Sequence, residues 1–115
     1  MALYYDLEPL YVRYKHDEVF VRDHLIVFCK DGRKVLKKVK IAIVDKKHLQ
    51  VERQLLKIKP YLEFLGMDLA LDELNAMLIW ASIEGKKKEV KEIFKAFKFH
   101  LKKGIKELEK DFNLL

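Results

Sequence analysis

Threonine is absent from this sequence, and serine occurs once, at Ser82. A Ser/His/Asp hydrolase would have to rest on that hydroxyl, which falls inside an apolar helical pattern, the wrong place for an exposed nucleophile. The single cysteine, Cys29, excludes an internal disulfide and a multi-cysteine zinc site. Lys30 beside it would lower the thiol pKa, but a buried, inert thiol is the expected state. The glycines at 32, 66, 85 and 104 stand alone, so there is no glycine-rich phosphate loop. The longest uncharged run in the apolar third quarter, Leu74 to Ile83, falls far short of the ~20 residues that cross a bilayer. The opening MALYYDLEPL has neither a basic n-region nor an apolar h-region, so no secretory signal is expected. A soluble cytoplasmic protein without membrane contact is the expectation.

What the chain does contain is charge and apolar bulk. Of its 115 residues 50% are hydrophobic and 37% charged, enough to bury one core and form one domain. Lysine and glutamate are abundant while Asn and Gln occur twice each, the composition of many hyperthermophile proteins, and a thermophilic source is expected.

The formal net charge of +6 is unevenly laid out. Residues 1–29 are net −2 and residues 30–59 net +8; residues 60–85 hold no Lys or Arg and are net −5; residues 86–115 are net +5. Two basic blocks therefore flank an acidic, apolar one. Lysines spread over an exterior only solubilise it. Lysines that converge after folding make a surface for a polyanion.

Residues 10–44 read as strands. Leu10 to His16 is rich in β-formers, Asp17-Glu18 suits a turn, and Val19 to Cys29 is an almost continuous run of Val, Phe, Leu and Ile. Asp31-Gly32 is the two-residue signal of a type I′ hairpin, and Val35 to Val44 returns as the next strand. That turn sets Phe28 opposite Val35, Asp23 opposite Lys40 and Val21 opposite Ala42, the charged pair helping to fix the register. Both faces of such a sheet are apolar, one with Phe28 and Val39, the other with Leu25 and Val27. It must then be covered on both sides, which predicts a homodimer or a protein partner on the second face.

The remainder reads as helix. Asp45 suits an N-cap, and Val51, Leu55, Ile58, Leu62 and Leu65 keep helical spacing, with Pro60 expected to kink or restart the helix near Lys59. Gly66 ends that segment. A second helix from Asp68 or Leu69 to Glu84, apolar almost all round, is expected at the centre of the domain, with Gly85 as its C-cap. A third, over about residues 86–112, carries the apolar stripe Val90, Phe94, Phe97, Leu101, Ile105 and Leu108. Beside that stripe runs a basic row: Lys88, Lys91, Lys95, Lys98, Lys102 and Lys106. Gly104 within it marks a bend or a close helix contact. The expected fold is α+β: a three-stranded antiparallel β-meander over residues 1–45, then three to four α-helices over residues 46–115, the last long and amphipathic.

Function is expected from the lysines. Lys30, Arg33, Lys34, Lys37, Lys38 and Lys40 would line the basic hairpin, a ribbon able to straddle phosphates, and Lys91, Lys95, Lys98 and Lys102 would extend the surface along the last helix. Lysine far outnumbers arginine, which favours phosphate contact over base reading. Tyr4, Tyr5, Tyr11, Tyr14 and the exposed Phe99 are available to stack on bases, although Phe99 suits a protein contact as well. The leading expectation is a non-catalytic protein that binds DNA or RNA without sequence preference, alone or within a nucleoprotein assembly, and needs no cofactor. The alternative is a homodimeric scaffold whose apolar sheet face and acidic 60–85 segment meet a partner.

A weaker pattern suggests an enzyme. Asp45-Lys46-Lys47 at a strand end, with Glu18 opposite Asp45 and Asp23 further along, has the shape of a metal-dependent nuclease site in which carboxylates hold Mg²⁺. Asp45 is better explained as a cap. His16, His24, His48 and His100 show no i, i+4 pair, so no metal ligands are assigned.

Overall fold

Asp17, expected in a β-turn, instead starts a helix. In the computed structural model, which describes residues 4–114, its carboxylate accepts hydrogen bonds from the backbone N–H of Val19 (3.1 Å) and Phe20 (3.3 Å). The helix it caps runs without a break from Glu18 to Val44. The described residues form five helices: α1 (Glu8–Arg13), α2 (Glu18–Val44), α3 (His48–Phe64), α4 (Asp68–Ser82) and α5 (Lys87–Asp111). Among the described residues there is no strand and no sheet. The α+β expectation is therefore wrong: the protein is all-helical.

The reason lies in the spacing of the buried residues. Along α2 these are Val21, Leu25, Phe28, Cys29, Gly32, Val35, Leu36, Val39 and Ala42, every third or fourth position, which is one face of a helix. Val, Ile and Phe favour strands only weakly, and burial of a long apolar stripe overrides that preference. The expected hairpin turn is a packing contact. A Cβ on Gly32 would stand 3.0 Å from Cδ1 of Ile105, so this glycine lets α2 and α5 approach closely. The strand register, the Asp23–Lys40 pair and the two apolar sheet faces all disappear with the sheet. So does the ground on which a homodimer was expected.

α2 packs on α3, α3 on α4, α4 on α5, and α5 back on α2. Short connections of three or four residues join them, so neighbours run antiparallel and the four form a bundle 43 × 23 × 21 Å in extent. At ~1.5 Å per residue, α2 and α5 span nearly the whole long axis. Residues 4–6 close one end: Asp6 N–H donates to Leu65 O (2.7 Å) and Tyr5 Oη donates to Asp111 (2.7 Å). Burial and that carboxylate raise the Tyr5 pKa well above its ordinary value.

Asp45 is the C-cap of α2, not the N-cap of α3. α3 continues through Pro60 to Phe64, without the expected restart. α4 is one of the four helices of the bundle, packed on α3 and α5, and not a central helix that the others surround. It buries Ala70, Leu74, Met77, Trp80 and Ala81 and leaves Leu69, Ile79 and Ile83 exposed. Its positive-φ exit residue is Glu84 (φ 50°), not Gly85. α5 opens with Glu89 accepting from Lys86 N–H (2.6 Å), and Gly104 packs against Met67.

Candidate functional site

The seam between α2 and α5 is the most open of the four. Residues of α2 that lie three or four positions apart, Arg33, Lys37 and Lys40, form one wall. Lys98, Lys102 and Lys106 of α5 form the other. Leu36 and Phe94 lie between them as an apolar floor, and the groove so enclosed has a volume of about 390 Å³. None of its five lysines makes a salt bridge among the described residues, although the charge of Lys106 acts on the Glu109 carboxylate.

Arg33 differs from those lysines. Its Nη1 donates to Glu109 Oε2 (2.7 Å) and its Nη2 to Glu109 Oε1 (2.6 Å), a bidentate bridge from α2 to α5. Glu109 is 8% exposed, and the Arg33 hydrogen bonds hold its carboxyl below the usual carboxylate range. Arg33 thus ties the two walls together, leaving lysines to supply the groove's uncompensated charge.

The basic lining continues in both directions. Toward the end of the bundle closed by residues 4–6 come Lys30 and Lys34, beside Ile26 and Leu114. Toward the other end come Lys87, Lys88 and Lys91 beside Ile43 and Val44, then Lys46 and Lys86. There the His48 ring packs tilted against Trp80 (ring centroids 4.7 Å apart) and donates to Gly85 O through Nε2 (2.8 Å), while Trp80 Nε1 donates to Lys86 O (2.9 Å). These bonds fix the two adjoining loops that carry the terminal lysines.

Of the residues expected to contact nucleic acid, Lys30, Arg33, Lys34, Lys37, Lys40, Lys91, Lys98 and Lys102 line this seam. Lys38 and Lys95 are exposed but stand outside it. Sequence reasoning left Lys106 out of the site although it placed that residue in the basic row, and it missed Leu36 and Phe94. Both looked like ordinary core; only the pairing of α2 with α5 shows that they form a floor.

The aromatic residues are employed elsewhere. Tyr11 stacks on His16, and Tyr14 stacks on Phe20 and meets His24. Tyr4 packs near His100, and Phe99, 51% exposed, lies under Lys103 (5.6 Å). None of them lines the groove. Cys29 is buried, and burial pushes its thiol up to about 11, so it is not a reactive thiolate.

The nuclease arrangement falls apart. Glu18 and Asp45 flank opposite ends of α2, about 40 Å apart at 1.5 Å per residue. No group of three or more His, Cys, Asp or Glu suited to a metal ion occurs among the described residues. No such group gathers the histidines; His100, for one, donates through Nδ1 to the Glu73 carboxylate at 2.8 Å. No helix among the described residues is long and apolar enough to cross a membrane.

Compared with protein-family models, curated proteins and solved structures, the chain matches none.

Proposed function

We propose that this protein binds nucleic acid, DNA or RNA, without sequence preference, holding a single strand along the α2–α5 seam. The observation that carries this is the convergence of Lys37 and Lys40 with Lys98, Lys102 and Lys106, more than fifty positions away in the chain, on one groove where none of them makes a salt bridge. Successive lysines on one helix face are ~6 Å apart along the axis, so each wall offers phosphates a ladder of cations. Ammonium groups act as mobile point charges, which suits contact with any sequence. Between the two charged walls the partly buried Phe94 gives a base or sugar an apolar surface, backed by the core residue Leu36, the combination used by sequence-tolerant strand binders. No catalytic residue and no cofactor enter this function.

Fluorescence anisotropy with labelled oligothymidylate and oligouridylate tests it. Binding is expected at low salt, with a steep loss between about 50 and 200 mM. The variant Lys37→Glu/Lys98→Glu/Lys102→Glu should abolish it while keeping its helical circular dichroism. Absence of binding to either polymer at low salt, or binding unchanged in this variant, would overturn the proposal.

A further inference from the structure

The outward faces of α2 and α4, diagonal helices of the bundle, are opposite in charge and alike in apolar content. On α2, Val27, Lys30, Lys34, Lys38 and Ile41 follow steps of three and four, so they form one strip, and all are exposed. On α4 the same spacing aligns Asp68, Asp72, Ile79 and Ile83; Ile79 is 65% and Ile83 70% exposed. Each strip is ~21–23 Å long at 1.5 Å per residue. Isolated exposed aliphatics are ordinary, but two aliphatic-bearing strips of opposite charge and equal length on opposite sides of one molecule are complementary surfaces.

We infer that copies of this chain associate head to tail, the α4 strip of one molecule docking on the α2 strip of the next. Charge selects this arrangement. Pairing α2 with α2 opposes lysines to lysines, while pairing α4 with α4 either opposes aspartates (parallel) or sets Asp68 and Asp72 against Ile83 and Ile79 (antiparallel), so neither symmetric dimer gives the charges an opposite partner. As alternate helices of an antiparallel bundle, α2 and α4 run parallel. Copies in the same orientation can therefore bring them together without being turned over. In one register Asp68 faces Lys30, Asp72 faces Lys34 and Ile79 faces Ile41, a constant offset of 38 positions. Because the two strips lie on opposite sides, the contact is heterologous and does not close on itself, so it generates an array. Lys37, Lys40, Lys98, Lys102 and Lys106 are not part of either strip, so the central groove stays open along the array, while Lys30 and Lys34, which extend its lining toward Leu114, are shared with the contact.

Sedimentation velocity on the full chain, treated with nuclease and shown free of nucleic acid, tests the inference without depending on what the groove holds. At low salt the weight-average mass of the wild type should rise past two chains with concentration, and it should fall toward one chain near 1 M salt, where charges are screened beyond ~3 Å. Asp72→Lys/Ile79→Lys alone, and Lys34→Glu/Ile41→Glu alone, should each stay monomeric with wild-type circular dichroism. Mixing the two should restore association, because each supplies the face that the other lacks. A wild type that is monomeric at every concentration, or that stops at a dimer, would overturn the inference. So would self-association surviving in either variant alone, since a symmetric contact needs only one of the faces.

Discussion

Arg33 and Glu109 join α2 to α5 through two parallel hydrogen bonds of 2.7 and 2.6 Å, at the edge of a groove that is otherwise lined by unpaired lysines. The arginine is partly open to solvent and the glutamate is almost wholly enclosed, so the two ends of the bridge are not equivalent. Removing the arginine strands a buried carboxylate; removing the glutamate leaves a cation that water can still reach.

Arg33→Met should therefore destabilise the fold by about 1–3 kcal/mol at neutral pH, whereas Lys37→Met, one turn away and exposed, should stay within ~0.5 kcal/mol. The carboxyl of Glu109 is held below its unfolded value, so its contribution is complete above about pH 4.5 and is lost as pH falls through the lower folded value. Urea titrations at pH 7 and pH 3 check both points. The gap between wild type and Arg33→Met should be large at pH 7 and shrink at pH 3.

His24 sets a second, higher pH window. Its ring lies against Tyr14 and Tyr61 (centroids 5.8 and 5.0 Å), and its Nε2 is buried without a hydrogen-bond partner among the described residues. Burial, and then the charge of Arg13, lower its pKa. The unfolded chain thus takes up a proton near pH 6.5 that the folded chain refuses, and stability declines from there as pH falls toward the folded value. His24→Phe keeps a ring in the aromatic cluster and removes the titrating group. Thermal melts between pH 7.5 and 5 (a range set by the ordinary histidine pKa of about 6.5) should show a falling midpoint in the wild type and a flatter one in the variant.

These groups also show what could be read without a structure. The lysine clusters of residues 30–40 and 86–106 were visible as charge, and α3, α4 and α5 occupy stretches whose apolar spacing is helical. The N-terminal third misled because Val, Ile and Phe crowd both faces in a two-residue period, and Asp31-Gly32 supplied an apparent turn. The steps from Val21 through Leu25, Phe28, Gly32 and Val39 were equally present and describe one helix face. The contact at Gly32 is nonlocal, with the side chain of Ile105 on α5, and no local pattern reveals it. For the same reason Leu36 and Phe94 could not be recognised as a floor, since neither helix alone indicates which neighbour stands beside it.

Gly66 illustrates a local requirement of the other kind. It leaves α3 with φ 58°, and an added Cβ would stand 2.6 Å from Asp6 Cβ and 2.7 Å from Asp6 O. Backbone strain and a clash with backbone therefore act together, and the segment that closes this end of the bundle must shift. Gly66→Ala should cost about 1–3 kcal/mol. Hydrogen exchange should place the loss at residues 4–6 and the α3–α4 turn, with the Asp6–Leu65 amide deprotected first. Equal deprotection along α5 would contradict this.

The groove makes a quantitative prediction about salt. Each phosphate neutralised on a single strand contributes about −0.7 to the slope of log K against log salt. Lys98 and Lys102 face the groove from one wall without a carboxylate partner, so Lys98→Met/Lys102→Met should make the slope shallower by about 1.4, two such contacts. Lys57→Met/Lys59→Met removes the same charge from α3, on a different seam, and should lower long-range attraction slightly while leaving the slope nearly unchanged. Both double variants have the same net charge, so any difference between their slopes reports position. Anisotropy titrations of an oligothymidylate across four salt concentrations measure it. Identical slopes for the two variants would mean that the protein attracts the strand only as a diffuse positive body, and the α2–α5 groove would lose its role.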